Sequence, residues 1–245
     1  MRNILLALLF CVAPVLVQAS EEVHLDKVKI DLNDQASLQR GAKFFVNYCM
    51  GCHAASYLRY NGVAEDIGVS NEQMLQNLVF AGDKIGDYMT IAMPPKAAKS
   101  WFGTTPPDLS VIARARGNDW LYTYLRGFYL DDQRPFGVNN VVFKDVAMPH
   151  VLWEMQGWQK PVYKSEPNEE GKPVEVLEKL EIVTPGTLSP DDYDEAVRDL
   201  VNFLAYMGEP AKLERQSLGI KVLLFLAVFF VVAYLLKKEY WKDIH

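Results

Sequence analysis

Cysteine and histidine are scarce in this chain. Among 245 residues there are only three Cys and four His, and two of the thiols share one pentapeptide, Cys49-Met50-Gly51-Cys52-His53. The third thiol, Cys11, lies in an apolar leader. Zinc needs four ligands, and with only His24, His150 and His245 besides His53 there is no second ligand pair. The chain also lacks a second Cys-x-x-Cys-His, an internal repeat, and the βαβ context that a thioredoxin-like redox pair requires. It has no positive excess either, since the net charge is −6, which disfavours nucleic-acid binding. What is present reads as c-type haem attachment. On one helical turn, two thiols each add to a haem vinyl group while the next residue's imidazole reaches the iron.

The leader points to the compartment in which such attachment occurs. Met1-Arg2 is a short positive start, Ile4 to Val17 is apolar and interrupted by Pro14, and Val17-Gln18-Ala19 ends in a small residue before Ser20. Residues 1–19 are therefore read as a cleaved export signal. Once it is removed, every remaining thiol belongs to the haem motif, and outside the cytoplasm a stray thiol would be an oxidation liability. A second apolar run, Leu218 to Leu236, is close to the roughly 20 residues a helix needs to cross about 30 Å of hydrocarbon. Lys221 lies near its end and can snorkel, while Tyr234, Tyr240 and Trp241 supply an aromatic belt. Lysines flank both ends, so the export signal sets the orientation. The expected organisation is an extracytoplasmic haem domain over residues 20–209, a linker over 210–217, a transmembrane helix over 218–236 and a cytoplasmic tail over 237–245.

Periodicity makes the domain mainly helical. Asn33 or Asp34 caps a helix whose Leu38, Ala42, Phe45 and Cys49 share a face, delivering the first thiol at its end. Ser70-x-x-Gln73 is a capping box ahead of Leu75, Leu78 and Val79. Asp108 is read as the cap of a stretch with Leu109, Ile112 and Ala113 inward, and Trp120 to Phe128 continues with Leu121, Tyr124, Leu125 and Phe128. Ser189-Pro190-Asp191-Asp192 opens the clearest helix, whose stripe of Tyr193, Ala196, Val197, Leu200, Leu204 and Met207 is expected to pack against the first. Gly82 to Pro107 and Asp131 to Pro185 are read as long loops, with one hairpin, wrapped over the haem. Glu166 to Glu181 forms an acidic run that serves either as solvated surface or as a docking site.

The sixth ligand decides what such a haem does. An open position permits oxygen or peroxide chemistry, whereas Met opposite His closes it and raises the potential for electron transfer. Met50 is inside the attachment loop, and Met74 and Met207 fall at core spacing. Met93 in Ala92-Met93-Pro94-Pro95 and Met148 in Ala147-Met148-Pro149 each precede a proline that stiffens the loop, and spacing alone does not separate them.

The order Arg40-Gly41, Cys49-x-x-Cys52-His53, Tyr57-Leu58-Arg59-Tyr60, Pro106-Pro107-Asp108-Leu109-Ser110, Ala113-Arg114-Ala115-Arg116, Ala147-Met148-Pro149 and a C-terminal span closely resembles the cytochrome c1 family of the cytochrome bc1 complex. The resemblance implies a cytochrome c-type haem domain with one covalently attached haem c and a distal ligand downstream of the Pro-Pro-Asp-Leu-Ser block, which selects Met148 over Met93. It further implies that Arg116 pairs with a haem propionate and that Pro107 and Trp120 line the pocket. After the ligand this chain has His150 where the family commonly has proline, and His150 is kept as a rival ligand.

On this resemblance the protein is a single-pass subunit of a bacterial inner membrane with its haem domain in the periplasm. It contacts membrane lipid, sits with cytochrome b and the Rieske iron–sulfur subunit, and passes electrons from the latter to a c-type cytochrome. It is an electron-transfer subunit of a quinol–cytochrome c oxidoreductase and is not catalytic alone. The alternatives are a stand-alone membrane-anchored cytochrome feeding a terminal oxidase, and a haem enzyme or gas sensor with an open sixth site.

Overall fold

The computed structural model describes residues 24–167 and 172–243. The export signal read over residues 1–19, together with Glu169 and Glu170 of the acidic run, lies outside the described residues. The helices are α1 (Gln35–Phe44), α2 (Tyr60–Asp66), α3 (Asn71–Asn77), α4 (Pro95–Phe102), α5 (Ile112–Arg116), α6 (Asn118–Arg126), α7 (Trp153–Gln156), α8 (Pro190–Gly208) and α9 (Lys212–Tyr240). Strands pair antiparallel, two by two: β1 (Ala55–Arg59) with β2 (Tyr88–Met89), β3 (Phe128–Leu130) with β4 (Val138–Asn140), and β5 (Gly157–Pro167) with β6 (Pro173–Pro185). The fold is thus mainly α, with long loops and a C-terminal apolar helix.

The core is built where α1 crosses α8. Asp34 caps α1 by accepting from the Ser37 N–H at 3.0 Å, and Ser189 caps α8 by accepting from the Asp192 N–H at 3.2 Å with Pro190 in its first turn. Each cap satisfies a donor that the helix start leaves open. Leu38, Ala42 and Phe45 then meet Val197, Leu200, Phe203 and Leu204, all buried. The Phe45 and Phe203 rings lie 5.7 Å apart. Close approach of the two helices depends on Gly41, where a Cβ would fall 2.1 Å from the Asp199 carbonyl oxygen. Beside this contact the buried Asp199 carboxylate accepts from Ser37 Oγ at 2.6 Å and Arg40 Nε at 2.5 Å, so one charge ties both helices together.

Beyond Phe44 the chain widens into a π-turn, Phe45–Cys49. It closes with the N–H groups of Cys52 and His53 both donating to the Cys49 carbonyl. This is how the first helix delivers the thiols, as its spacing required.

Several elements differ from the reading of the sequence, among them Phe128, read as the end of a helix but found opening β3 after α6 stops at Arg126. Asp108 does not cap a helix, because its carboxylate is committed to the N–H groups of Ser110 and Ser56, and α5 starts only at Ile112. The Pro- and Gly-rich stretch from Gly82 to Pro107 contains a two-turn helix, α4, since Pro95 occupies its first turn and Gly103, at φ +76°, closes it. The paired strands β5 and β6 are exposed over most of their length, Tyr163, Val176 and Ile182 included, and so add little to the core. Only their base is pinned, where Gln159 Nε2 donates to the carbonyls of Arg126 and Phe128.

The last helix, α9, begins at Lys212, ahead of the apolar run, and none of its residues is buried. At 29 residues it is about 43 Å long at 1.5 Å per residue, enough to span about 30 Å of hydrocarbon with interfacial turns to spare.

Candidate haem-binding site

The block Pro106-Pro107-Asp108-Leu109-Ser110 is strapped across the attachment turn. Leu109 N–H donates to the Ala54 carbonyl (2.8 Å), Ser56 N–H to the Asp108 carboxylate (2.9 Å), and Tyr57 N–H to Ser110 Oγ (3.1 Å). These bonds place the Pro107 carbonyl 2.7 Å from His53 Nδ1. Nδ1 must carry the proton to make that bond, which leaves Nε2 with its lone pair free to act as a metal ligand. Burial lowers the imidazole pKa, opposed by the Pro107 bond and Asp108, so the neutral form that a metal requires is favoured.

Neither thiol is in a disulfide, and Cys49 is buried while Cys52 is half-buried. Burial, with Cys52 adding to it, pushes the Cys49 thiol up to about 12, and burial raises Cys52 as well. A redox Cys-x-x-Cys shows the opposite shift. Among the described residues no cluster of three His, Cys, Asp or Glu side chains is arranged to hold a metal ion.

The seven residues assigned to the haem site from the sequence border one cavity of about 310 Å³: Cys49, Cys52, His53, Pro107, Arg116, Trp120 and Met148. Arg116 ends α5 and Trp120 lies in α6, and the break between these helices is Gly117 at φ +90°, a conformation that strains any side chain. The Arg116 guanidinium lies 5.0 Å over the Trp120 ring and 5.7 Å from that of Phe143. It makes no ion pair among the described residues, and it is the one Lys, Arg, Asp or Glu on the cavity wall.

Met148 reaches the cavity from the loop between β4 and α7, and its sulfur accepts a hydrogen bond from Tyr124 Oη at 3.4 Å. Met93 is not on the wall. Met50 is buried elsewhere, accepting from Tyr60 Oη at 3.6 Å, and Met74 and Met207 are core. His150 is not on the wall either. It is buried with its ring stacked on Phe128 at 4.9 Å and edge-on to Trp158.

The residues present fit a c-type haem. Paired thiols and an imidazole converge with a thioether from a distant loop, on an apolar wall carrying one cation. Tyr124, Phe143, Leu200 and Leu204 also line it and were not singled out from the sequence. Tyr124 had a signal, since it lies one helical turn beyond Trp120, but Leu200 and Leu204 were indistinguishable from plain core. The acidic run contributes nothing to the wall among its described residues.

Residues 82–244 match the Cytochrome C1 family. A cytochrome c1 of Allochromatium vinosum is 52% identical, with 100% of each chain covered. A protein of Nitrosomonas europaea named ammonia monooxygenase gamma subunit is 51% identical over 100% of this chain and 98% of its own. A Bradyrhizobium diazoefficiens protein named cytochrome b/c1 is 27% identical over 86% of this chain and 34% of its own.

Proposed function

From a chain that belongs to the cytochrome c1 family, an electron-transport haem protein of the respiratory bc1 complex, we propose that Cys49 and Cys52 carry one covalently attached haem c. His53 and Met148 would ligate its iron, and we assign the chain the transfer of electrons from the Rieske iron–sulfur protein to a c-type cytochrome. The observation that carries this reading is that His53 and Met148, from segments far apart in the chain, border one apolar cavity together with both thiols.

Bound there, the haem supplies a one-electron couple whose potential is set by the axial pair and its surroundings. The chain's residues position and tune it. Pro107 orients the imidazole, and Arg116, exposed beside Trp120 and Phe143, would offset a propionate. A Met148 thioether bound to the iron would disfavour oxygen chemistry of the sort that the name of the Nitrosomonas relative suggests. The cytochrome b/c1 relative supports cytochrome b as a neighbour. The membrane in this reading is the bacterial inner membrane, crossed once, with the haem domain in the periplasm and the tail in the cytoplasm.

Native purification from membranes tests this. The chain is expected to co-purify with cytochrome b and the Rieske subunit, and quinol is expected to reduce its haem in stopped flow only while the Rieske cluster is present. Direct reduction without that cluster, or a reduced native protein that binds carbon monoxide, would favour a stand-alone cytochrome or a haem enzyme respectively.

The anchor makes a separate prediction. Because no residue of α9 is buried, truncation after Gln216 is expected to release a soluble, haem-loaded domain with its unfolding midpoint unchanged. A truncated product that stays with the membrane after signal cleavage would refute a single anchor.

A further inference from the structure

Tyr124 is held more firmly than a space-filling side chain requires. Its ring stacks on Trp120 at 4.9 Å, meets Phe128 edge-on at 5.2 Å and Phe143 at 6.5 Å, and its backbone carbonyl accepts from Asn140 Nδ2 at 2.8 Å. These contacts restrict the ring and aim its hydroxyl. The hydroxyl's partner is Met148 Sδ at 3.4 Å. A phenol with an ordinary pKa of about 10 is a donor at neutral pH, and a thioether is only a weak acceptor. A half-buried hydroxyl placed on so poor an acceptor calls for an explanation beyond hydrogen-bond satisfaction.

We propose that the Tyr124 hydroxyl is a positioning residue for the distal thioether, occupying one sulfur lone pair, leaving the other for the iron, and raising the potential. The inference rests on the reading of Met148 as the distal ligand. Its chemistry is electron withdrawal: a hydrogen bond accepted by sulfur drains density that would otherwise be donated to iron. The oxidised state depends on that donation more than the reduced state does, so the bond favours the reduced state. Hydrogen bonds of this outer kind are a recognised lever on metal sites.

Tyr124→Phe removes the oxygen and keeps the ring. It is expected to retain covalent haem, the sulfur-to-iron charge-transfer band of the oxidised protein, and resistance to carbon monoxide. The oxidised-to-reduced ratio at a fixed applied potential should rise about threefold, a fall of about 28 mV at 59 mV per tenfold for one electron. Phe143→Leu loosens the same aromatic cluster without touching the hydroxyl and is expected to shift the ratio less. An unchanged ratio in Tyr124→Phe, or an equal shift in Phe143→Leu, would overturn the inference and leave Tyr124 as packing. Met148→Leu separates the two readings. If the charge-transfer band survives that substitution, the ligand assignment itself falls; if it vanishes while Tyr124→Phe has no effect, only the role of the hydroxyl does.

Discussion

Met148→Leu is expected to leave the haem covalently attached, lower its potential and open the reduced iron to carbon monoxide. In the proposed reading attachment is on Cys49 and Cys52, in the turn that ends α1, a segment far in the chain from the loop carrying Met148. Leucine fills much of the same volume but offers no lone pair. Water, a harder donor than a thioether and better matched to ferric iron, would take the vacated place, so the potential should fall by on the order of 0.1 V, within the range of about 0.8 V over which axial ligands set haem potentials. Potentiometry and carbon monoxide difference spectra measure both effects. The competing ligands have their own signatures. Met93→Leu should change nothing, since Met93 is off the wall of the cavity. Were Met93→Leu to open the iron while Met148→Leu did not, the assignment would be wrong. A spectrum of two nitrogen ligands in the native protein would instead bring in His150, now packed against Phe128.

The second large effect is expected at Gly41→Ala. In an isolated helix this substitution gains about 1 kcal/mol in propensity. Here the new Cβ would lie 2.1 Å from the Asp199 carbonyl oxygen and 2.7 Å from Phe203 Cβ. Both obstacles belong to α8 backbone or its first side-chain atom and cannot rotate away, so α1 must retreat. Overpacking of this kind costs about 3 kcal/mol, which outweighs the propensity gain and leaves a net loss of about 2 kcal/mol. For a domain of this size that lowers Tm by about 4–8 °C. Retreat of α1 also displaces Cys49 at its end, so reduced haem loading is expected with it. Gly62→Ala is the control, because nothing lies within 4 Å of its Cβ position and α2 should be unharmed or slightly more stable. Thermal unfolding of the truncated domain reads both. A Gly41→Ala protein as stable as the parent would mean that the two helices do not meet this closely.

The sequence by itself determined the features that depend on neighbouring residues. The haem motif, the Ser70 and Ser189 caps, the stripe of α8 and the apolar run of α9 are each encoded within a few turns of chain, where spacing translates directly into a face or a hydrogen bond. It also separated core methionines from loop methionines, because helical period distinguishes them. Tertiary structure decided what depends on segments meeting. Met148 and Met93 look alike locally, since each precedes proline in a loop, and only the packing of the Met148 loop against Tyr124 and Phe128 brings one of them to the cavity. Asp108 reads as a helix cap because its side chain is of the capping type, yet Ser56 lies close enough in space to claim it. The hairpin of β5 and β6 shows the same limit. One hairpin was read within Asp131 to Pro185, but its base is fixed by Gln159 bonding across to the carbonyls of Arg126 and Phe128, contacts that no local pattern contains.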